Sequence, residues 1–169
     1  RTIVEGGKAL RFSPKYPNIL PQFYSIKSTI ANSQNKFYAL NINNGENPLR
    51  KGEPNNLEQL HLEDAEKHGS LKFTASVICD EDNIIRDSLK KKGKRIITFS
   101  SILKYESFPL SLILQDVLEF GQNVMGCAVE IEFAVNMYNS SEIQDEFCLL
   151  QIKPMVVGGL KKSTFLINK

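Results

Sequence analysis

Four polar residues near the end of the chain are of types that can bind a metal and a phosphate. Glu130 and Glu132 alternate with Val129, Ile131, Phe133 and Val135, and Gln151 and Lys153 alternate with Leu150 and Ile152. Successive side chains of a strand point to opposite faces, so each pair shares one face. Carboxylates and an amide oxygen are hard-cation ligands, and an ammonium beside them neutralises phosphate; the set therefore points to Mg and a nucleotide.

Positioning them requires two paired strands. If Ala128 to Met137 runs antiparallel to Glu146 to Lys153, with the polar stretch Tyr138 to Asp145 as an exposed loop, Glu132 faces Gln151 and Glu130 faces Lys153. Ile131, Phe133, Leu150 and Ile152 then pack the other face, and a one-residue slip would set both glutamates against apolar residues. Alternation by itself favours a solvated sheet face on which Glu130 and Lys153 form a weak surface pair.

Before this hairpin, Leu110, Ile113, Leu114, Val117, Leu118, Val124 and Met125 follow the three-and-four spacing of an amphipathic helix over Pro109 to Met125, with Pro109 in its first turn and Gly126 as its stop. Upstream, β-type runs at Lys8 to Ser13, Phe23 to Ser28, Phe37 to Ile42, Leu71 to Cys79, Asn83 to Arg86 and Arg95 to Phe99 alternate with turn chemistry. Asn55 to Gly69 reads as a strand followed by a short helix. The fold class expected is α+β: a mostly antiparallel sheet, one long amphipathic helix at about 109–125 and a C-terminal hairpin.

The 169 residues, 41% hydrophobic and 24% charged, suffice for one core. A net charge of +2 gives no general reason to expect nucleic acid or an anionic membrane, and the basic run Lys90 to Arg95 contains no aromatic residue, so it reads as a solvated turn. Neither partner is expected. Apolar runs are far shorter than a membrane span, and a cytoplasmic protein is the expectation. Cys79, Cys127 and Cys148 are odd in number and widely spaced, which favours reduced core thiols over zinc or disulfides. His61 and His68 have no nucleophile or carboxylate motif around them and read as surface or helix-end residues. The start Arg1-Thr2-Ile3-Val4-Glu5 reads as a strand entered partway, and hence as a piece of a longer protein.

Phe108 to Pro154, with Gly126, Glu130-Ile131-Glu132-Phe133 and Gln151-Ile152-Lys153-Pro154, resembles the end of the ATP-grasp nucleotide-binding domain of the phosphoenolpyruvate synthase and pyruvate phosphate dikinase family. There a helix and a Gly precede an Asp-Ile-Glu strand and a Gln-x-Arg strand. Ile3-Val4-Glu5-Gly6-Gly7 is similar to the strand after that family's Gly-Leu-Gly loop, and Leu10 to Pro17 is in the style of its bacterial branch.

The resemblance implies a partial ATP-grasp domain over 1–154 with a tail or linker over 155–169, and an ATP-dependent phosphotransferase that phosphorylates a carrier histidine en route to pyruvate. It implies Mg held by Glu132 and Gln151, nucleotide contacts from Glu130, Glu132, Gln151 and Lys153, and Lys153 as the catalytic cation. ATP would be the ligand, with phosphohistidine and pyruvate-binding domains as partners within a longer chain; the 169 residues alone would not turn over. Lys153 stands where the family has Arg, and Glu130 where it usually has Asp. Two alternatives accompany this reading: the same fold with an antibiotic or glucan acceptor, and a non-catalytic domain that binds nucleotide or a partner.

Overall fold

A computed structural model describes residues 7–41, 57–138, 140 and 142–155. Helices and small antiparallel sheets alternate along them: α1 (Ile26–Asn32), β1 (Lys36–Leu40), β2 (Leu57–His61), α2 (Leu62–Lys67), β3 (Ala75–Cys79), β4 (Ile85–Arg86), β5 (Gly93–Ile97), α3 (Ser100–Leu103), α4 (Leu110–Met125), β6 (Val129–Asn136) and β7 (Glu146–Pro154). The class is α+β. In place of one sheet, the strands form β1-β2, β4-β3-β5 and β6-β7, every pair antiparallel. Two compact units divide the chain, Arg1–Leu112 and Ile113–Lys169. The expected tail falls almost wholly outside the described residues.

In the first unit, β3 is the central strand, and Val77 and Ile96 are fully buried. Leu62, Leu71 and Ile97 form a core cluster with Phe37, Ala65, Ala75, Leu89 and Phe99 packed on it. Arg95 fastens the lysine turn: its guanidinium pairs with Glu66 through two bonds of 2.7 and 2.8 Å and donates to the carbonyls of Lys91, Gly93 and Leu89. Lys90, Lys91 and Lys92 are all left exposed at the surface, as a solvated turn requires. His61 and His68 flank α2 as its N-cap and C-cap, both exposed.

Several strand expectations change here. Lys8 to Ser13 forms no strand beyond an isolated bridge from Ser13 to Tyr16. Phe23 to Ser28 forms no strand, and its second half is the start of α1, because Ser25 and Ser28 form a reciprocal capping box: the Ser25 hydroxyl accepts from the Ser28 N–H at 3.1 Å, and the Ser28 hydroxyl accepts from the Ser25 N–H at 3.0 Å. That arrangement satisfies two amide donors which a helix start otherwise leaves orphaned. The short α3 is not signalled by the sequence pattern. Of the cysteines only Cys79 is buried; Cys148 is half-buried and Cys127 exposed, so a core role holds for one of three.

Helix α4 begins one residue after Pro109 and ends at Gly126, whose φ of +67° and N–H bond to the Gln122 carbonyl make the left-handed stop. Leu110 and Leu114 are buried, and Ile113, Val117 and Leu118 half-buried. Val124 and Met125 depart from the expected stripe: both are exposed, Val124 at 67%. Among the described residues no helix is long and apolar enough to cross a membrane.

Candidate functional site

The site is built on the hairpin of the second unit. β-branched and aromatic residues on alternate positions give β6 and β7 one apolar face, and that face needs a cover. Helix α4 supplies it at Gly121, where an added Cβ would lie 2.6 Å from Ile152 Cδ1 and 3.0 Å from Val129 Cγ2. Val129 is buried, and Phe133 and Phe147 stack at 5.2 Å between ring centroids further along the hairpin.

On the ladder Glu132 is the partner of Gln151, and Glu130 of Lys153. Lys153 Nζ lies 3.3 Å from Glu130 Oε1, and both side chains are about half exposed, at 45% and 52%. Glu132 and Gln151 are exposed, and neither side chain has a hydrogen-bond partner among the described residues. All four sequence-predicted site residues therefore meet on one small surface. The expected companion on the apolar side does not: Leu150 is left without a ladder partner at a register shift and is 65% exposed, and Leu149 takes the place opposite Phe133.

The loop end of the same hairpin carries a polar group that strand alternation does not signal. Asn136 and Tyr138 both donate to Glu146 Oε2 at 3.2 Å, and the Tyr138 N–H donates to Asp145 at 2.7 Å. Hydrogen bonding to the Glu146 carboxylate, reinforced by its charge, holds the Tyr138 phenol above its usual range. These bonds close the loop and fix where the ladder starts.

A carboxylate directly across a ladder from an amide suits Mg, which takes few protein oxygens and completes its shell with water and phosphate. Among the described residues no group of three or more His, Cys, Asp or Glu gathers as a metal cluster. One carboxylate with one amide on an open face is thus the donor set available. An open depression of about 650 Å³ lies in the first unit, lined by Ser25, Ile26, Lys27, Ile30, Ala31 and Asn83. With Lys27 as its one titratable lining residue, it offers no convergent polar set.

The first unit also holds a polar network that the sequence does not signal. Asp87 accepts from Ser76 and Lys104 at 2.9 Å and from Tyr105 at 3.2 Å; Ser76 also bonds Thr98, which lies 2.7 Å from Ser100. Burial pushes the Asp87 carboxyl up, but hydrogen bonds from Lys104, Ser100 and Ser76 and the Lys104 charge outweigh it and hold the group below its usual value.

No family model, curated protein or solved structure matches the chain.

Proposed function

We propose that this chain is part of an ATP-dependent phosphotransferase of the phosphoenolpyruvate synthase and pyruvate phosphate dikinase type, with an ATP-grasp fold and Mg-ATP bound on the polar face of β6 and β7. The observation that carries the reading is the register that sets Glu132 opposite Gln151 and Glu130 opposite Lys153. Glu132 and Gln151 hold Mg, which when bound neutralises phosphate charge. Lys153 neutralises the phosphate undergoing transfer, and Glu130 orients the Lys153 ammonium. An exposed pair of this kind is worth no more than about 1 kcal/mol, so phosphate can draw Lys153 from Glu130 at little cost.

Phosphoryl transfer asks a protein mainly to position and neutralise, and these residues do that without a general base. A carrier histidine and then pyruvate follow as acceptors from the resemblance; the binding face itself is equally suited to another acceptor. In the intact protein, Glu132→Ala should abolish Mg-dependent ATP binding and phosphohistidine formation. Unchanged binding and labelling in that variant would refute the assignment.

A second reading rests on Lys153, whose ammonium lacks the planar fork that grips phosphate at two points and is already held by Glu130. On this reading the face binds nucleotide without transferring phosphate. Release of AMP on incubation with Mg-ATP separates the two, since binding without AMP favours the second.

A further inference from the structure

The β6–β7 ladder runs in two registers. From the loop end it pairs Asn136 with Glu146, Val135 with Phe147, Ala134 with Cys148 and Phe133 with Leu149. Continued in step, it would set Glu132 against Leu150 and Glu130 against Ile152. Instead it resumes with Glu132 opposite Gln151, and Leu150 is the one extra residue absorbed between.

The β7 sequence demands this. Phe147 and Leu149 share the phase of the apolar face, whereas Ile152, which belongs to the same face opposite Ile131, falls on the other phase. One residue must be taken up for both ends of the strand to keep their apolar sides together. Such a bulge does more than repair the phase: it bends the strand, increases the local right-handed twist and re-aims the side chains next to it. Here those neighbours are Glu132 and Gln151, the two donors of the face.

We infer that the Leu150 bulge is the positioning device of the metal–nucleotide face, setting the angle at which Glu132 and Gln151 converge on Mg; this rests on the phosphotransferase reading. Mg demands near-ideal octahedral geometry, so the aim of two donors on opposite strands decides its affinity. Leu150 is a positioning residue. It acts through the backbone it displaces.

Deleting Leu150 makes the alternation continuous on both strands, with Glu132 still opposite Gln151. That variant of the intact protein should therefore keep its stability but bind ATP about tenfold or more weakly in the presence of Mg, the scale of a lost outer support at a metal site. ATP affinity in EDTA should stay the same. Leu150→Ala, which keeps the extra residue, should retain Mg-dependent binding. Where the deletion prevents folding, inserting an Ala after Leu150 widens the bulge without disturbing either ladder, and it should weaken Mg-dependent binding likewise. The inference is overturned if the folded deletion variant, or the insertion variant in its place, binds Mg-ATP like the unmodified protein, or if Leu150→Ala loses as much as the deletion. If the unmodified protein itself shows no Mg-dependent ATP binding, the phosphotransferase reading falls and takes the inference with it.

Discussion

Two polar clusters in this protein are built in opposite ways. The Asp87 network of the first unit is turned inward: Ser76 is fully buried, Thr98 nearly so, and the Asp87 side chain is only 17% exposed while accepting from Ser76, Lys104 and Tyr105. On the hairpin, the Glu132 and Gln151 side chains are exposed and make no hydrogen bond among the described residues. A satisfied network anchored on buried hydroxyls holds elements together, here tying the segment after β4 to the β3–β5 ladder and α3, with Lys104 and Tyr105 at its exposed rim. An open, unsatisfied face can give its donors to a ligand without breaking the fold. Removing a member of the first should cost stability, and removing a member of the second should cost binding.

The largest stability effect is expected at Asp87. Asp87→Ala strips the carboxylate from Ser76 and Lys104 and should destabilise by about 2–3 kcal/mol in urea unfolding at neutral pH, the cost of losing charge-assisted bonds and leaving donors underused. The sign of the pH dependence follows from the lowered folded value. Stability from this group is present above the ordinary carboxylate range and is lost as pH falls through the folded value. The gap between the unmodified protein and Asp87→Asn should therefore shrink on acidification. A gap independent of pH would mean that the network is held by shape alone.

The next effect lies on the apolar side of the hairpin. Gly121→Val puts branched methyls where a single Cβ already approaches Ile152 Cδ1 to 2.6 Å, and should cost about 1–3 kcal/mol through overpacking. Gly121→Ala should cost less than Gly121→Val, because its tightest contact is with the movable end of Ile152 and alanine gains about 1 kcal/mol of helix propensity over glycine, which offsets the push on Cγ2 of the buried Val129 at 3.0 Å. If thermal unfolding shows Gly121→Val no less stable than the unmodified protein, the helix is not seated on the hairpin through this residue.

The two clusters are unequally visible in the sequence, for a physical reason. The hairpin face is written in local alternation, with a period of two on each strand, so its four polar residues can be named and paired from residue order alone. Asp87 cannot be found that way, because its partners Ser76 and Lys104 lie 11 and 17 residues away and meet it only after folding. The Leu150 bulge lies between these cases. Its signal is present as the break of phase at Leu149-Leu150, but an unbroken alternation from Leu150 to Lys153 conceals it. Helix α1 escapes the pattern because its capping box uses Ser28 at the position where Glu or Gln is the usual signal.

The smallest stability effect should come from Lys153, and this variant presses the comparison hardest. Its pair with Glu130 is half exposed at 3.3 Å, so Lys153→Ala should shift unfolding by less than about 1 kcal/mol. In the phosphotransferase reading, however, it removes the cation that meets phosphate, and phosphohistidine formation should fall sharply while the fold persists. Lys153→Arg restores the planar fork at the same place and should sustain or raise transfer, because two parallel N–H donors match two phosphate oxygens. Should Lys153→Ala leave labelling unchanged, Lys153 would be an ordinary surface cation, and the functional weight of the hairpin would rest on Glu132 and Gln151 alone.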